Sequence, residues 1–259
     1  MDQPVSRIRI VLVGTQHPGN IGSAARAMKT MGLSRLVLVA PERFPHAEAH
    51  ALAAGADDLL DAAVVHPALA DAIADCTLVL GCTARSRRVP LPERGPREAA
   101  GAMLEEALGG GEVALVFGRE RTGLDNDELQ LCHRAVHIPA NPSYSSLNLA
   151  AAVQVLAWEL RSAQLAHERG EAAAADAGAD PRDPPATHAE LEGLFAQLAA
   201  TLDDIDFHKG RAPESAMRKL RRIFLRTRLD TREVRLLRGV LADAQRMARL
   251  AGQGGGQEQ

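Results

Sequence analysis

Five short runs rich in Val, Ile and Leu recur along the first half of the chain, at residues 8–13, 36–39, 77–80, 113–117 and 135–138. They are apolar on successive residues rather than on alternate ones, so both faces of each strand must be covered, as in a parallel sheet packed between helices. Helical stretches separate them at residues 21–31, 47–54, 67–74, 97–107 and 126–132, and residues 62–66 are a candidate for one more short strand. The expected fold class is therefore α/β, built from repeated βα units around a mostly parallel sheet.

Beyond the sheet, Leu149, Val153, Leu156 and Leu160 fall at helical spacing and predict an amphipathic helix to about Glu168. Residues 170–187 are rich in Ala, Gly, Asp and Pro without apolar period, as a mobile linker would be. Three further helices are expected at 189–202, 215–224 and 231–250, the last capped by Asp230 or Thr231 with Glu233 in its first turn. A Gly- and Gln-rich tail from Gly252 is expected to be disordered. The division is then a main domain over 1–168, a flexible linker over 169–187 and a helical domain over 188–259. Residues 208–250 hold 13 of the 30 Lys and Arg residues but 4 of the 33 Asp and Glu residues, a basic module on an otherwise acidic chain. Two readings of that module stand: a phosphate-binding surface, or a helical cap that packs a dimer and leaves its arginines solvated.

Aromatic residues make up 3% of the chain, which argues against base stacking as its mode of action. No apolar run approaches the roughly 20 residues needed to cross a bilayer, and the N-terminus lacks a signal pattern, so a cytoplasmic protein is expected. Cys76, Cys82 and Cys132 form no C-x-x-C pair, which argues against a disulfide framework or a cysteine zinc site; the histidines do not cluster, and no metal is expected.

Four strand-to-helix junctions carry the polar chemistry. The first, Gly14-Thr-Gln-His-Pro-Gly-Asn-Ile-Gly-Ser-Ala-Ala-Arg26, has a glycine-rich loop entering a helix, where main-chain N–H groups favour anions. Asn20 and Ile21 stand where a P-loop requires Lys and Ser/Thr, and the dinucleotide fingerprint is absent. Arg26, about one turn on, is either an anion ligand or a solvated surface arginine. The second, Gly81-Cys-Thr-Ala-Arg-Ser-Arg-Arg-Val-Pro90, offers Arg85, Arg87 and Arg88 as a phosphate grip, with a solvated loop as the alternative. The third is Phe117-Gly-Arg-Glu-Arg-Thr-Gly-Leu124. Here Gly118 is expected to let a ligand approach the main chain, Gly123 to permit a left-handed turn, and Glu120 to pair with Arg119 and Arg121. The fourth, Ile138-Pro-Ala-Asn-Pro-Ser-Tyr-Ser-Ser-Leu-Asn-Leu-Ala150, is too polar and stiff for a connector; Ser145 or Ser146 is expected to cap the following helix, with Asn148 in its first turn. At one edge of a parallel sheet the four would converge on a single crevice.

The set Asn20-Ile-Gly-Ser-Ala-Ala-Arg26, Phe117-Gly-Arg-Glu-Arg-Thr-Gly-Leu124 and Tyr144-Ser-Ser-Leu-Asn-Leu-Ala150 resembles the three signature motifs of the SPOUT superfamily of RNA 2'-O-ribose methyltransferases. More narrowly it is similar to the bacterial tRNA methyltransferases that act on cytidine or uridine at position 32 of the anticodon loop. The resemblance is strong from residue 8 to about residue 165 and looser over the basic helices around Lys219-Leu-Arg-Arg-Ile-Phe224. It implies a deep trefoil knot late in the first domain, S-adenosylmethionine as cofactor, and a homodimer whose sites draw on both subunits.

Carried over by position, the resemblance implies that Cys82, Thr83, Ala84, Gly118, Ile138, Ser145, Ser146 and Leu147 hold the cofactor. It also implies a catalytic Arg26; beside it, the residues themselves suggest substrate contacts from Arg85, Arg119, Tyr144, Arg221 and Arg222, and support from Asn20, Glu120 and Asn148. A guanidinium stays protonated near neutral pH, so positioning and charge stabilisation suit Arg26 better than proton removal. Competing readings are a related methyltransferase acting on another tRNA position or on ribosomal RNA, and a non-catalytic RNA-binding protein with the same fold.

Overall fold

The structure is a computed structural model that describes residues 4–84, 91–170, 184–209 and 212–254. Its contacts divide into two units, Met1–Ala177 and Gly178–Gln259.

The first unit opens with a 3-10 turn, Pro4–Arg7, and then runs β1 (Ile8–Val13), α1 (Pro18–Thr30), β2 (Arg35–Val39), α2 (Ala47–Ala53), α3 (Asp57–Asp61), β3 (Val64–His66) and α4 (Leu69–Ala72). It continues through β4 (Leu78–Cys82), β5 (Glu93–Arg94), α5 (Pro96–Leu108), β6 (Val113–Phe117), α6 (Asn126–Gln130), β7 (Arg134–Val136) and α7 (Leu149–Glu168). The seven strands form one sheet in the order β3-β2-β1-β6-β4-β7-β5, and every pairing is parallel.

β1 and β6 are buried along their whole length, as successive apolar residues require. The pleat sends Ile8, Ile10 and Leu12 to one face, where they meet Ile21 and Met28 of α1, Met103 of α5 and Val153, Leu156 and Leu160 of α7. Val11 and Val13 point to the other, against Leu69 and Leu129. Arg9, the one cation within β1, is buried and held by Asp75 at 2.6 Å and Glu112 at 3.1 Å at the sheet's amino edge. The face under α1 is closed by an approach only glycine allows: a Cβ on Gly22 would lie 2.0 Å from the Ala49 carbonyl oxygen of α2. Its place in the first junction therefore reflects helix packing, not phosphate binding.

The expected βα order is present, with α3 and β5 as additions the periodicity did not announce. The helix expected at 67–74 contracts to the single turn of α4, and the strand expected to reach Ile138 ends at Val136.

The second unit holds α8 (His188–Asp204), α9 (Pro213–Thr227) and α10 (Thr231–Gly254) around Leu191, Leu194, Phe195, Leu225 and Val234. Asp230 settles the choice of cap, since its side chain accepts from the Glu233 N–H and its own N–H donates to Glu233. α10 runs on to Gly254, so the chain stays helical past Gly252, where a disordered tail was expected to begin. The linker segment 171–183 lies outside the described residues.

Candidate active site

The carboxyl ends of β4, β6 and β7 and the first turn of α7 line an open cleft of about 130 Å3. All eight residues expected to hold a cofactor line it: Cys82, Thr83 and Ala84 after β4, Gly118 after β6, and Ile138, Ser145, Ser146 and Leu147 in the loop before α7. Arg119 and Glu120, expected at the site in other roles, line it too, and Phe117, Arg121, Thr122, Gly123, Leu149 and Ala152 complete the lining without having been singled out as ligands; Leu149 and Ala152 were legible only as part of an amphipathic helix.

Two features fix the walls. The Thr83 N–H donates to the Val136 carbonyl oxygen at 2.9 Å, joining the exits of β4 and β7. In the loop after β6, Gly123 adopts φ +67° and its N–H donates to the Arg119 carbonyl oxygen at 2.8 Å, closing a tight turn. A Cβ on Gly118 would lie 2.1 Å from Gly123 C and from Leu124 N. Gly118 is thus required by its own turn's backbone, a reason for glycine in addition to its place on the cleft. Burial pushes the Cys82 thiol up to about 12, so it forms a neutral wall and no nucleophile.

Glu120 does not pair with its neighbours in sequence. It accepts from the Gln16 N–H at 3.1 and 3.2 Å, the His17 N–H at 3.2 Å and Asn20 Nδ2 at 3.0 Å. Burial pushes its carboxyl up, but the bonds from Asn20, Gln16 and His17 outweigh it and hold the group below the usual carboxylate range. Arg119 turns instead to Glu128, donating to both carboxylate oxygens at 3.0 Å. Both bonds run through Nη1, which anchors the guanidinium expected to meet substrate at one of its nitrogens.

The helix cap also differs from expectation. Asn148 Oδ1 accepts from the Ala150 N–H at 2.9 Å and the Ala151 N–H at 3.4 Å, so Asn148, not Ser145 or Ser146, caps α7. Both serines remain in the loop and line the cleft. Asn148 Nδ2 donates to Asn20 Oδ1 at 3.0 Å, so Glu120, Asn20 and Asn148 form one chain of hydrogen bonds across the three motifs.

Other expected residues lie apart. Arg26 is exposed on α1, makes no hydrogen bond or ion pair among the described residues and does not line the cleft. Tyr144 is 81% exposed, at the end of a turn closed by its N–H on the Asn141 carbonyl oxygen at 2.8 Å, and is also absent from the lining. Arg85 lies outside the described residues.

In the second unit Arg222 is exposed, whereas Arg221 is 16% exposed, bonds Glu192 at 2.5 and 2.9 Å and stacks 4.4 Å above the Phe195 ring. Arg221 therefore ties α9 to α8 rather than presenting itself to a nucleic acid, a correction to the expectation. Among the described residues no group of three or more His, Cys, Asp or Glu is arranged to hold a metal, and no helix is long and apolar enough to cross a membrane.

A parallel α/β sheet whose carboxyl-edge loops meet a capped helix at one cleft is the architecture of the SpoU methylases. The SpoU rRNA Methylase family model matches residues 7–158, and the model of the tRNA methyltransferase TrmJ C-terminal domain matches residues 189–253. A Pseudomonas aeruginosa relative, a tRNA (cytidine/uridine/adenosine-2'-O-)-methyltransferase TrmJ, is 50% identical over 247 residues, covering 95% of this chain and 96% of its own. A Salmonella typhimurium tRNA (cytidine/uridine-2'-O-)-methyltransferase TrmJ is 50% identical over 240 residues, covering 92% and 96%. The crystal structure of TrmJ from Z. mobilis ZM4 superposes with a TM-score of 0.77 at 36% identity, covering 91% of this chain and 97% of that one. The chain belongs to the SpoU methylase family and, within it, to the TrmJ tRNA 2'-O-methyltransferases.

Proposed function

We propose that the protein methylates the ribose 2'-hydroxyl of the pyrimidine at position 32 of the tRNA anticodon loop, with S-adenosylmethionine as donor and a homodimer as the working form. The observation that carries this reading is the convergence of all eight candidate cofactor residues on one cleft braced by the Glu120, Asn20 and Asn148 chain. The relatives' names supply the tRNA 2'-O-methylation, and the P. aeruginosa name adds adenosine to the accepted nucleosides of that protein.

The lining suits the cofactor. Ile138, Leu147 and Leu149 offer an apolar wall to an adenine ring, while the hydroxyls of Thr83, Ser145 and Ser146 offer polar partners for its edges and ribose. Bound there, S-adenosylmethionine supplies an electrophilic methyl group on its sulfonium. The pinned loops orient the ligand and the apolar wall keeps water from it, which removes much of the entropic cost of alignment. Arg26, with no hydrogen bond or ion pair among the described residues, holds the phosphate beside the target and stabilises negative charge developing on the 2'-oxygen. It lies outside the cleft of its own chain, as a site completed by a second subunit requires, and α7 leaves Trp158 50% exposed for such an interface. The reading includes a deep trefoil knot late in the first unit. Arg218, Lys219 and Arg222, all exposed on α9, add phosphate contacts.

Methylation of unmodified tRNA transcripts, followed by mapping of the 2'-O-methyl group, tests the proposal. Modification at position 32 is expected; modification elsewhere, or of ribosomal RNA alone, replaces it. Absence of S-adenosylmethionine binding by calorimetry would favour a non-catalytic RNA-binding role.

A further inference from the structure

We infer that Arg121 is the cation that the loop after β6 presents to an RNA phosphate at the mouth of the cleft. The inference rests on the tRNA-methylating reading and identifies a residue for its substrate.

The three charged residues of this loop have different fates. Arg119 is committed to both oxygens of Glu128, and Glu120 to Gln16, His17 and Asn20. Arg121 is exposed, lines the cleft and makes no hydrogen bond or ion pair among the described residues. The loop cannot swing it away. On one side Glu120 is tied to the first junction; on the other the turn is closed by the Gly123 N–H on Arg119 and by the contact of Gly118 with Gly123 and Leu124. Arg121 thus sits in a turn tied on both sides, with an exposed side chain on an anchored backbone. A bidentate donor in that position suits an incoming phosphate. Its preorganised backbone spares the ordering cost that a free loop would incur on binding.

The cofactor's own carboxylate is the competing anion. The exposure of Arg121 favours RNA, because a small ligand enclosed by the cleft is met by the inner lining, whereas a polyanion arrives from outside. Arg119, tied through Nη1 to Glu128, is the less free of the two arginines to turn toward either anion.

The test compares Arg121→Gln, Arg121→Glu and Arg121→Lys in the full-length protein, with equilibrium binding of unmodified tRNA across a salt series and calorimetry with S-adenosylmethionine. The expected result for Arg121→Gln is about tenfold weaker tRNA binding and a salt slope smaller by roughly one, with cofactor affinity unchanged. Arg121→Lys should restore most of the binding, and Arg121→Glu should weaken it further. An unchanged salt slope in Arg121→Gln would overturn the inference in favour of a solvated arginine. Loss of cofactor affinity with tRNA binding intact would overturn it in favour of the cofactor carboxylate. If Arg121→Glu fails to fold, the Gln and Lys variants decide. Because binding is read rather than turnover, a wild-type protein that binds tRNA but methylates another position would refute the proposed specificity and leave Arg121 separately testable.

Discussion

Asn148 donates from Nδ2 to Oδ1 of Asn20 across 3.0 Å, joining residues 128 positions apart. The same side chain caps α7 through Oδ1, so one amide serves as helix cap and tertiary tie. Asn148→Asp should keep the cap and lose the tie, whereas Asn148→Ala should lose both and cost about 1 kcal/mol more. A double-mutant cycle with Asn20→Ala, read by urea unfolding, should return a coupling of about 1 kcal/mol. Strict additivity would mean that the two motifs do not communicate through this bond.

Gly118→Ala tests the turn. Its Cβ would meet main-chain atoms that no rotamer can move, so the loop must open. The expected cost is about 3 kcal/mol, accompanied by loss of S-adenosylmethionine binding in calorimetry. Normal cofactor affinity in a stably folded variant would show that the turn does not shape the cleft.

Two groups set acid sensitivity in different windows. The Glu120 carboxyl in the folded protein lies below its ordinary value, so the unfolded chain takes up that proton first as pH falls. Its contribution is complete at neutral pH and is lost as pH drops through the ordinary carboxylate range toward the folded value. Glu120→Gln should flatten the acid limb of a stability-against-pH curve.

His188 acts at higher pH. It is 2% exposed with neither ring nitrogen hydrogen-bonded, and burial pushes it down from 6.5, opposed by Glu192 and aided by Arg221 of α9. Protonation in the unfolded chain then drains stability from the second unit as pH falls below about 6.5. Amide exchange on α8 in the intact protein should speed up between pH 7 and 5 beyond its intrinsic pH dependence, and His188→Leu should remove that excess. An equal excess in the variant would assign it to another group.

Arg221 and Arg222 should separate cleanly. Arg221→Ala loses a bidentate pair to Glu192 and a stacked ring, and should destabilise the second unit by about 2 kcal/mol. Arg222→Ala should leave stability within about 0.5 kcal/mol and weaken tRNA binding. The reverse pattern would return Arg221 to the nucleic-acid surface.

What the sequence made legible follows from where the determining contacts lie. β1 and β6 fall at their expected bounds because burial on both faces writes itself into every residue. β5 is two charged residues whose strand character comes from pairing with β7, some 40 positions on, and no local pattern encodes it. Ser145, Ser146 and Asn148 are all good caps within four residues, and only the helix start at Leu149 decides among them. Glu120 between two arginines invites a local ion pair, yet its partners sit about a hundred positions earlier. The resemblance named eight residues that the cleft brings together, while the commitments of Arg119 and Arg221 required the partners that Glu128 and Glu192 provide.

The tie between Asn20 and Asn148 also bears on synthesis. In a nascent chain that ends short of residue 148 the tie to Asn20 cannot form, so the loop that carries Ser145 and Ser146 lacks that anchor. The cleft therefore comes into being as a late step, when the far end of the unit returns to its beginning, and ligand binding by ribosome-bound chains of increasing length would report completion of the unit rather than its gradual growth.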